Sequence, residues 1–214
     1  MKKFISKTIK YLTILGILSS SLVFTNISAS AALEADARYR DGGLANAYNH
    51  AGLRRAGIGI YEIKGYNHEI ELSTWDSFLN GQTYLGAYYN PDTTSTDKDY
   101  ILYTAKAMDA DPEITYTMYD ALAYESNPGS YVAVDEISDI RCDGVVEYAY
   151  EWNYVWVWGK TNDGTKTGTP TNFDISYVPY VSEHANLGDE GWFELSPIVQ
   201  RGAKGTKYTQ LVKY

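Results

Sequence analysis

Apolar and polar or small residues alternate with a period of two across Gly57-Ile58-Gly59-Ile60-Tyr61-Glu62-Ile63-Lys64 and again across His68-Glu69-Ile70-Glu71-Leu72-Ser73. That period marks strands with one buried face. Gly65 and Asn67 between them predict a turn, and Leu44 to Leu53 upstream is also strand-like, so the economical reading is a meander of three adjacent strands. Thr74 to Gly81 reads as one short helical turn ending at a glycine, and the polar stretch Asn90 to Asp99 as an exposed loop. Ile101, Leu102, Ala105 and Met108 lie at helical spacing and predict a helix over Tyr100 to Asp109 that ends before Pro112. Met118 to Tyr124 reads as a second short helix, Asn127-Pro128-Gly129-Ser130 as a turn, and Tyr131 to Val134 as a short strand or an extended approach to the helix that begins at Cys142. Leu33 to Asp41 is charged and weakly patterned.

The strongest helical signal begins at Cys142. Val145, Tyr148, Ala149, Trp152 and Trp156 fall on one face, which predicts an amphipathic helix with that face buried. Asp139 stands three residues before Cys142 as a candidate N-cap, with the sulfur in the first turn beside Arg141. Val155 to Trp158 also reads as strand, so the helix has two possible ends. Beyond it, Thr161 to Pro170 is loop-like, and Phe173 to Tyr180 and Trp192 to Leu195 predict further short elements. The load of 21 tyrosines and 5 tryptophans favours strands and half-buried sheet surfaces.

The amino terminus changes the cellular picture. Lys2, Lys3, Lys7 and Lys10 precede an apolar run from Tyr11 to Phe24, and Ala29-Ser30-Ala31 supplies the small residues of a cleavage site. Residues 1–31 therefore read as a secretory signal peptide, and 32–214 as a single secreted domain, extracellular or cell-wall associated. Removing the leader takes four of the 18 basic residues and none of the 27 acidic ones, leaving a formal charge of −13. Such a surface repels nucleic acid and anionic lipid, and no stable membrane insertion is expected after cleavage.

A single cysteine excludes an intrachain disulfide framework, so the core must hold itself together. Cys142 is then either a buried small hydrophobe or a residue kept for its chemistry. The three histidines are dispersed without zinc spacing. Asp109-Ala110-Asp111 and Asn162-Asp163-Gly164 lack a full calcium-loop pattern, and no phosphate-cradling glycine loop is present, so no cofactor or metal is expected.

The string Cys142-Asp143-Gly144-Val145-Val146-Glu147-Tyr148-Ala149 resembles the nucleophile helix of NlpC-like cysteine hydrolases, and His50-Ala51-Gly52-Leu53 resembles their histidine strand. The histidine precedes the cysteine, as in the circularly permuted branch that includes YiiX-like bacterial proteins and relatives of lecithin retinol acyltransferase. This resemblance covers roughly residues 40 to 160 and rests on short motifs. It implies an α+β fold of permuted papain-like type, with an antiparallel sheet and a packed nucleophile helix. It further implies Cys142 as nucleophile, His50 as base and Glu62, a dozen residues on, as the residue that orients the imidazole. Trp75-Asp76-Ser77-Phe78-Leu79-Asn80-Gly81 is similar to a segment often found after that position. Arg141 and Asp143 depart from the family's usual neighbours of the cysteine. The arginine favours the thiolate and the aspartate opposes it.

The implied activity is that of an amidase or endopeptidase on bacterial cell-wall peptides, through a thioester on Cys142. The nearest enzymatic alternative is a thiol acyltransferase or lipid-directed hydrolase. A different class is a non-catalytic wall or surface binding domain with Cys142 buried and inert. His184 is the reserve base, and His68, Glu69 and Glu71 are reserve third residues. Outside the resemblance, His50 reads as a structural strand residue and Glu62 as a solvent-facing one. Oligomeric state is not fixed by the sequence.

Overall fold

Period-two alternation becomes antiparallel sheet where the pattern is clearest: β2 (Asn49–Arg55), β3 (Gly59–Ile63) and β4 (Ile70–Ser73) lie side by side. The computed structural model describes residues 34–42, 49–118, 121–124, 132–157, 196–203 and 209–214. The signal-peptide segment, the turn at 127–130, His184 and the elements placed at 161–170, 173–180 and 192–195 lie outside the described residues. The chain divides into two units, Met1–Glu34 and Ala35–Tyr214, and the second holds every element named here.

Two further strands complete the centre of the sheet. The weakly patterned segment after Leu33 contains β1 (Ala37–Asp41), which pairs antiparallel with β2 on one side and with β5 (Tyr84–Tyr89) on the other. Between β4 and β5 sits α1 (Trp75–Leu79), with the Thr74 hydroxyl accepting the Ser77 N–H and Asn80 in the left-handed region at φ 47°. Arg38 and Arg40 hid β1 from a hydrophobicity pattern, because both are buried although charged.

The helix expected from Tyr100 starts earlier. Ser95–Asp109 is α2, opened by a capping box in which Thr94 and Asp97 exchange backbone and side-chain hydrogen bonds, so the second half of the stretch read as loop is helical. After it come β6 (Thr115–Tyr116) and β7 (Leu122–Tyr124), a 3₁₀ turn at Val134–Glu136, and β8 (Ile137–Ile140). The expected helix over Met118 to Tyr124 is therefore corrected to strand at its end. Leu122 to Tyr124 pairs with β8, and this long-range ladder overrides local propensity.

Next is α3 (Cys142–Glu151), then α4 (Pro197–Gln200) and the short β9 (Val212–Lys213). The main sheet runs β4-β3-β2-β1-β5-β9 with all neighbours antiparallel; the small sheet runs β6-β8-β7, with β6 parallel and β7 antiparallel to β8. The protein is a mixed α+β structure with an antiparallel sheet.

The core lies between β1–β3 and α3, where Tyr39, Ala51, Leu53, Tyr61 and Ile63 meet Val145, Val146, Tyr148 and Ala149. All ten residues of α3 are buried, so the single buried face read from the sequence becomes burial all round. The helix stops at Glu151, with Trp152 at its C-cap and stacked on Tyr148, and Trp156 lies beyond it. Tyrosines thread the core with polar ends satisfied: Tyr150 donates to Ala35 O at 2.6 Å and Tyr148 to Val132 O at 3.0 Å.

One glycine fixes how near α3 comes to its neighbours. A Cβ on Gly144 would lie 1.8 Å from Ala121 O, the same carbonyl that accepts the Arg141 N–H. Backbone cannot yield as a flexible side chain does. Gly144→Ala is expected to cost about 3 kcal/mol or more in urea unfolding followed by circular dichroism, as overpacking against main chain does; an effect under about 1 kcal/mol would show that the approach is not so close.

Candidate functional site

His50 is the second residue of β2 and lies directly across from Arg40 of β1. Its Nε2 is 2.6 Å from Glu62 Oε2, with both side chains buried. The carboxylate accepts from Nε2–H, which leaves Nδ1 with the lone pair. Phe78 of α1 packs on the imidazole, with ring centroids 5.7 Å apart, and also lies 3.1 Å from where a Cβ on Gly52 would be. Gly52 therefore admits the ring that closes this side of the pair.

Burial pushes the His50 pKa below its ordinary value, against the pull of Glu62, and the nearby Arg40 and Lys64 charges push the same way. For Glu62, burial pushes upward but is outweighed by the hydrogen bond and charge of His50 and by Lys64, so its carboxyl sits below the usual range. Lys64 Nζ is 4.0 Å from Glu62 Oε1 and is tied to Glu71 and to Ser77 Oγ. At neutral pH the pair is thus a neutral imidazole on a carboxylate.

Cys142 is the first residue of α3 and is 5% exposed. The expected N-cap Asp139 is instead within β8, where its Oδ1 accepts the Thr115 hydroxyl at 2.5 Å. Arg141 occupies the cap position with no side-chain cap bond. Its guanidinium grips Asp143 through Nε–Oδ1 at 2.6 Å and Nη2–Oδ2 at 2.8 Å. The two departures flanking the cysteine are therefore one buried ion pair.

The sulfur faces the Ala51 N–H. Arg54 donates its N–H to Asp36 O toward β1, and alternation along β2 turns the Ala51 N–H to the opposite edge, where the sulfur meets it. Burial, and secondarily the Asp143 charge, push the thiol up to about 12, while the Ala51 N–H, Arg141 and the Asp143 N–H pull it down. A helix N-terminus is thus present, but desolvation outweighs it, and at rest Cys142 is a thiol.

The fold consequently brings Cys142 to the backbone of β2 beside His50, and Glu62 onto His50. Among the described residues no hydrogen bond joins the sulfur to the imidazole. Of the reserve residues, His68 and Glu69 are exposed in the β3–β4 connection, and Glu71 lies across from Glu62 but is held by Lys64 and Ser73.

Sequence reasoning missed two neighbours. Arg40 is buried, its guanidinium carbon 5.7 Å from the Phe78 ring centre, and its charge is felt by both Glu62 and Cys142. Tyr116, half-buried on β6, has its phenol pushed up by burial and next by Cys142. Two arginines at alternate positions, Arg38 and Arg40, were the available signal for the first; nothing in the sequence marked the second. Among the described residues no group of three or more His, Cys, Asp or Glu is arranged to hold a metal, and no helix is long and apolar enough to cross a membrane. No family model, curated protein or solved structure matches this chain.

This electrostatic state is open to two measurements. Iodoacetamide should label folded Cys142 at pH 8 on the order of 10³-fold more slowly than the urea-unfolded chain, with a rate still rising above pH 9. A plateau near pH 7 would contradict the buried thiol. The His50–Glu62 pair has both pKa values depressed by folding, so each contributes stability present above its unfolded value and lost on acidification, beginning near 6.5 for His50. Asp36, raised to about 6, acts oppositely: its contribution is full at low pH and fades as pH rises through about 6. Comparing wild type with the His50→Gln/Glu62→Gln double variant isolates the pair. The stability advantage of wild type should shrink between pH 7.5 and 4.5 in denaturant titrations; a constant difference would remove the assigned ionisation.

Proposed function

We propose that the protein is a secreted cysteine hydrolase in which Cys142 is the nucleophile, His50 the base and Glu62 its orienting partner, on a fold of permuted papain-like, NlpC-like type. The observation that carries the reading is the buried 2.6 Å His50–Glu62 pair on the strand whose next N–H faces the Cys142 sulfur. A buried histidine held by a buried carboxylate, one residue from the backbone N–H that meets the chain's only thiol, supports the reading by bringing the three residue types of thiol acyl transfer into one neighbourhood.

Because both groups are neutral at rest, the proton moves as the bond forms. With substrate seated and the imidazole drawn to the sulfur, Nδ1 takes the Sγ proton while Sγ bonds to the carbonyl carbon, whose oxygen takes up the electron pair. The N–H groups of the first turn of α3, including that of Cys142, are the donors for this oxyanion. The C–N bond then breaks, Nδ1–H protonates the departing amine, and an acyl-thioester remains. Water gives a proton to Nδ1 as its oxygen adds to the thioester carbon, and collapse releases the carboxylate and returns the thiol. Glu62 keeps Nε2 protonated throughout. The substrate class is the bacterial cell-wall peptide, on the strength of the motif resemblance and a secretory leader.

A second reading has an observation of its own. The 5% exposure of Cys142 and its thiol raised to about 12 favour a binding domain of the same fold with an inert cysteine. Intact-mass detection of acyl transfer from p-nitrophenyl acetate, followed by screening on muropeptides, separates the two. The hydrolase requires an acetyl adduct on Cys142 that forms at least about 100-fold more slowly in His50→Ala and about tenfold more slowly in Glu62→Gln. Equal labelling of wild type and His50→Ala would leave the binding domain.

A further inference from the structure

Four of the six arginines of this acidic chain, Arg38, Arg40, Arg54 and Arg55, sit on β1 and β2. Arg38 is engaged by Asp36 Oδ2 at 3.2 Å and by the Tyr84 hydroxyl at 2.7 Å, and Arg55 by the Tyr61 hydroxyl at 3.3 Å. Arg38, Arg40 and Arg54 each have a buried Nε without a hydrogen-bond partner, and of the three Arg40 is the one paired across from His50. Its Nη1 donates to Asp41 O at 2.9 Å and the residue is 7% exposed. Glu62, the nearest carboxylate by charge, gives Oε2 to His50, while its Oε1 is buried without a hydrogen-bond partner, 4.0 Å from Lys64 Nζ, and makes no hydrogen bond to Arg40.

A guanidinium left this way has a chemical preference. The Nε–Nη2 edge presents two parallel N–H donors, the geometry that matches the two oxygens of a carboxylate, and a buried donor without an acceptor is costly until one arrives. The Phe78 ring centre lies 5.7 Å from Arg40 Cζ, and the pairing Arg40↔His50 places the guanidinium on the face of the sheet that holds the imidazole. Arg40 and His50 are therefore neighbours on one surface, the first a donor for an anion and the second the proposed base.

We propose that the Nε–Nη2 edge of Arg40 is the receptor for a carboxylate that the substrate carries beside its scissile bond. This rests on the hydrolase reading only in assigning the carboxylate to a substrate; the anion site itself stands on the geometry of Arg40. The substrate class narrows accordingly to peptides or acyl compounds with a free carboxylate flanking the cleaved amide, and replacement of that carboxylate by an amide removes the partner of a charged buried donor.

The test uses the whole mature protein and two small probes, N-acetylglycine and N-acetylglycinamide, followed through the ¹⁵N–¹H signal of the Arg40 Nε–Hε group, assigned by its loss in Arg40→Lys. N-acetylglycine should move that signal saturably, and the amide should bind at least about tenfold more weakly. Carboxylate protection of Cys142 against iodoacetamide should accompany the shift in wild type, weaken in Arg40→Lys and vanish in Arg40→Gln. An absent shift, an equal response to the amide, or a response confined to Arg38 or Arg54 would overturn the proposal. The wild-type titration and the Arg40→Lys protein decide the matter even if Arg40→Gln fails to fold. Acyl-Cys142 formation is read separately: its absence beside an intact titration removes the hydrolase and retains the carboxylate site, whereas its presence without a titration removes the carboxylate site alone.

Discussion

The first turn of α3 is packed closely against main chain. Gly144 leaves room for the Ala121 carbonyl, that carbonyl takes the Arg141 N–H, and the Cys142 sulfur rests at the Ala51 N–H of β2. Each of these neighbours is backbone that cannot change rotamer, so the position of the sulfur is set by backbone geometry. Gln200 of α4 adds a brace, accepting the Tyr39 hydroxyl at 2.7 Å and donating to Asp143 O at 3.0 Å. A side chain held in this way is placed to a tolerance that loops do not reach, which is what a reacting atom requires.

Burial on this scale brings charges inside, and the structure compensates them locally. Arg141 and Asp143 satisfy each other bidentately, Glu62 is held by His50, and Glu151 Oε1 accepts the Val157 N–H at 3.0 Å. Breaking one member of such a pair leaves the other uncompensated, so these residues are more costly to lose singly than their surface counterparts. The same desolvation keeps both thiol and imidazole neutral. In the proposed hydrolase, attack therefore depends on proton transfer as the bond forms rather than on a stored thiolate, and on the arrival of a substrate that draws sulfur and imidazole together.

Sequence reading recovered elements whose signal is local and missed those made by partners. The β2–β3–β4 meander, α1 and the body of α2 follow from alternation, helical spacing and capping residues, and Cys142 and His50 stood out as the lone thiol and a histidine two residues before a glycine. The failures have physical causes. β1 carries buried arginines, which a hydrophobic pattern scores as surface; Leu122 to Tyr124 is a strand only because β8 lies beside it; and the burial of α3 on every side requires a second sheet and α4 that its own sequence does not announce. Asp139 looked like a cap by spacing alone, yet β8 continues through it to Ile140. Glu62 was nameable only through the resemblance, since alternation marks a polar strand position as outward, whereas α1 covers that face with Phe78.

The proposed site is built around a single strand. Ala51 and Leu53 turn toward α3 and the core, while His50 and Gly52 turn toward α1. The Cys142 sulfur meets the strand between them, at the Ala51 N–H on the edge away from β1. Recognition on the α1 side can then vary without disturbing the seat of the sulfur, because Arg40, His50 and Phe78 belong to one surface and Gly144, Tyr39 and Gln200 to the other. A one-residue slip of β2 against β1 would exchange these faces completely, bringing Ala51 under Phe78 and His50 into the core. The pairing Arg40↔His50 is thus the register on which both the buried pair and its cationic neighbour depend.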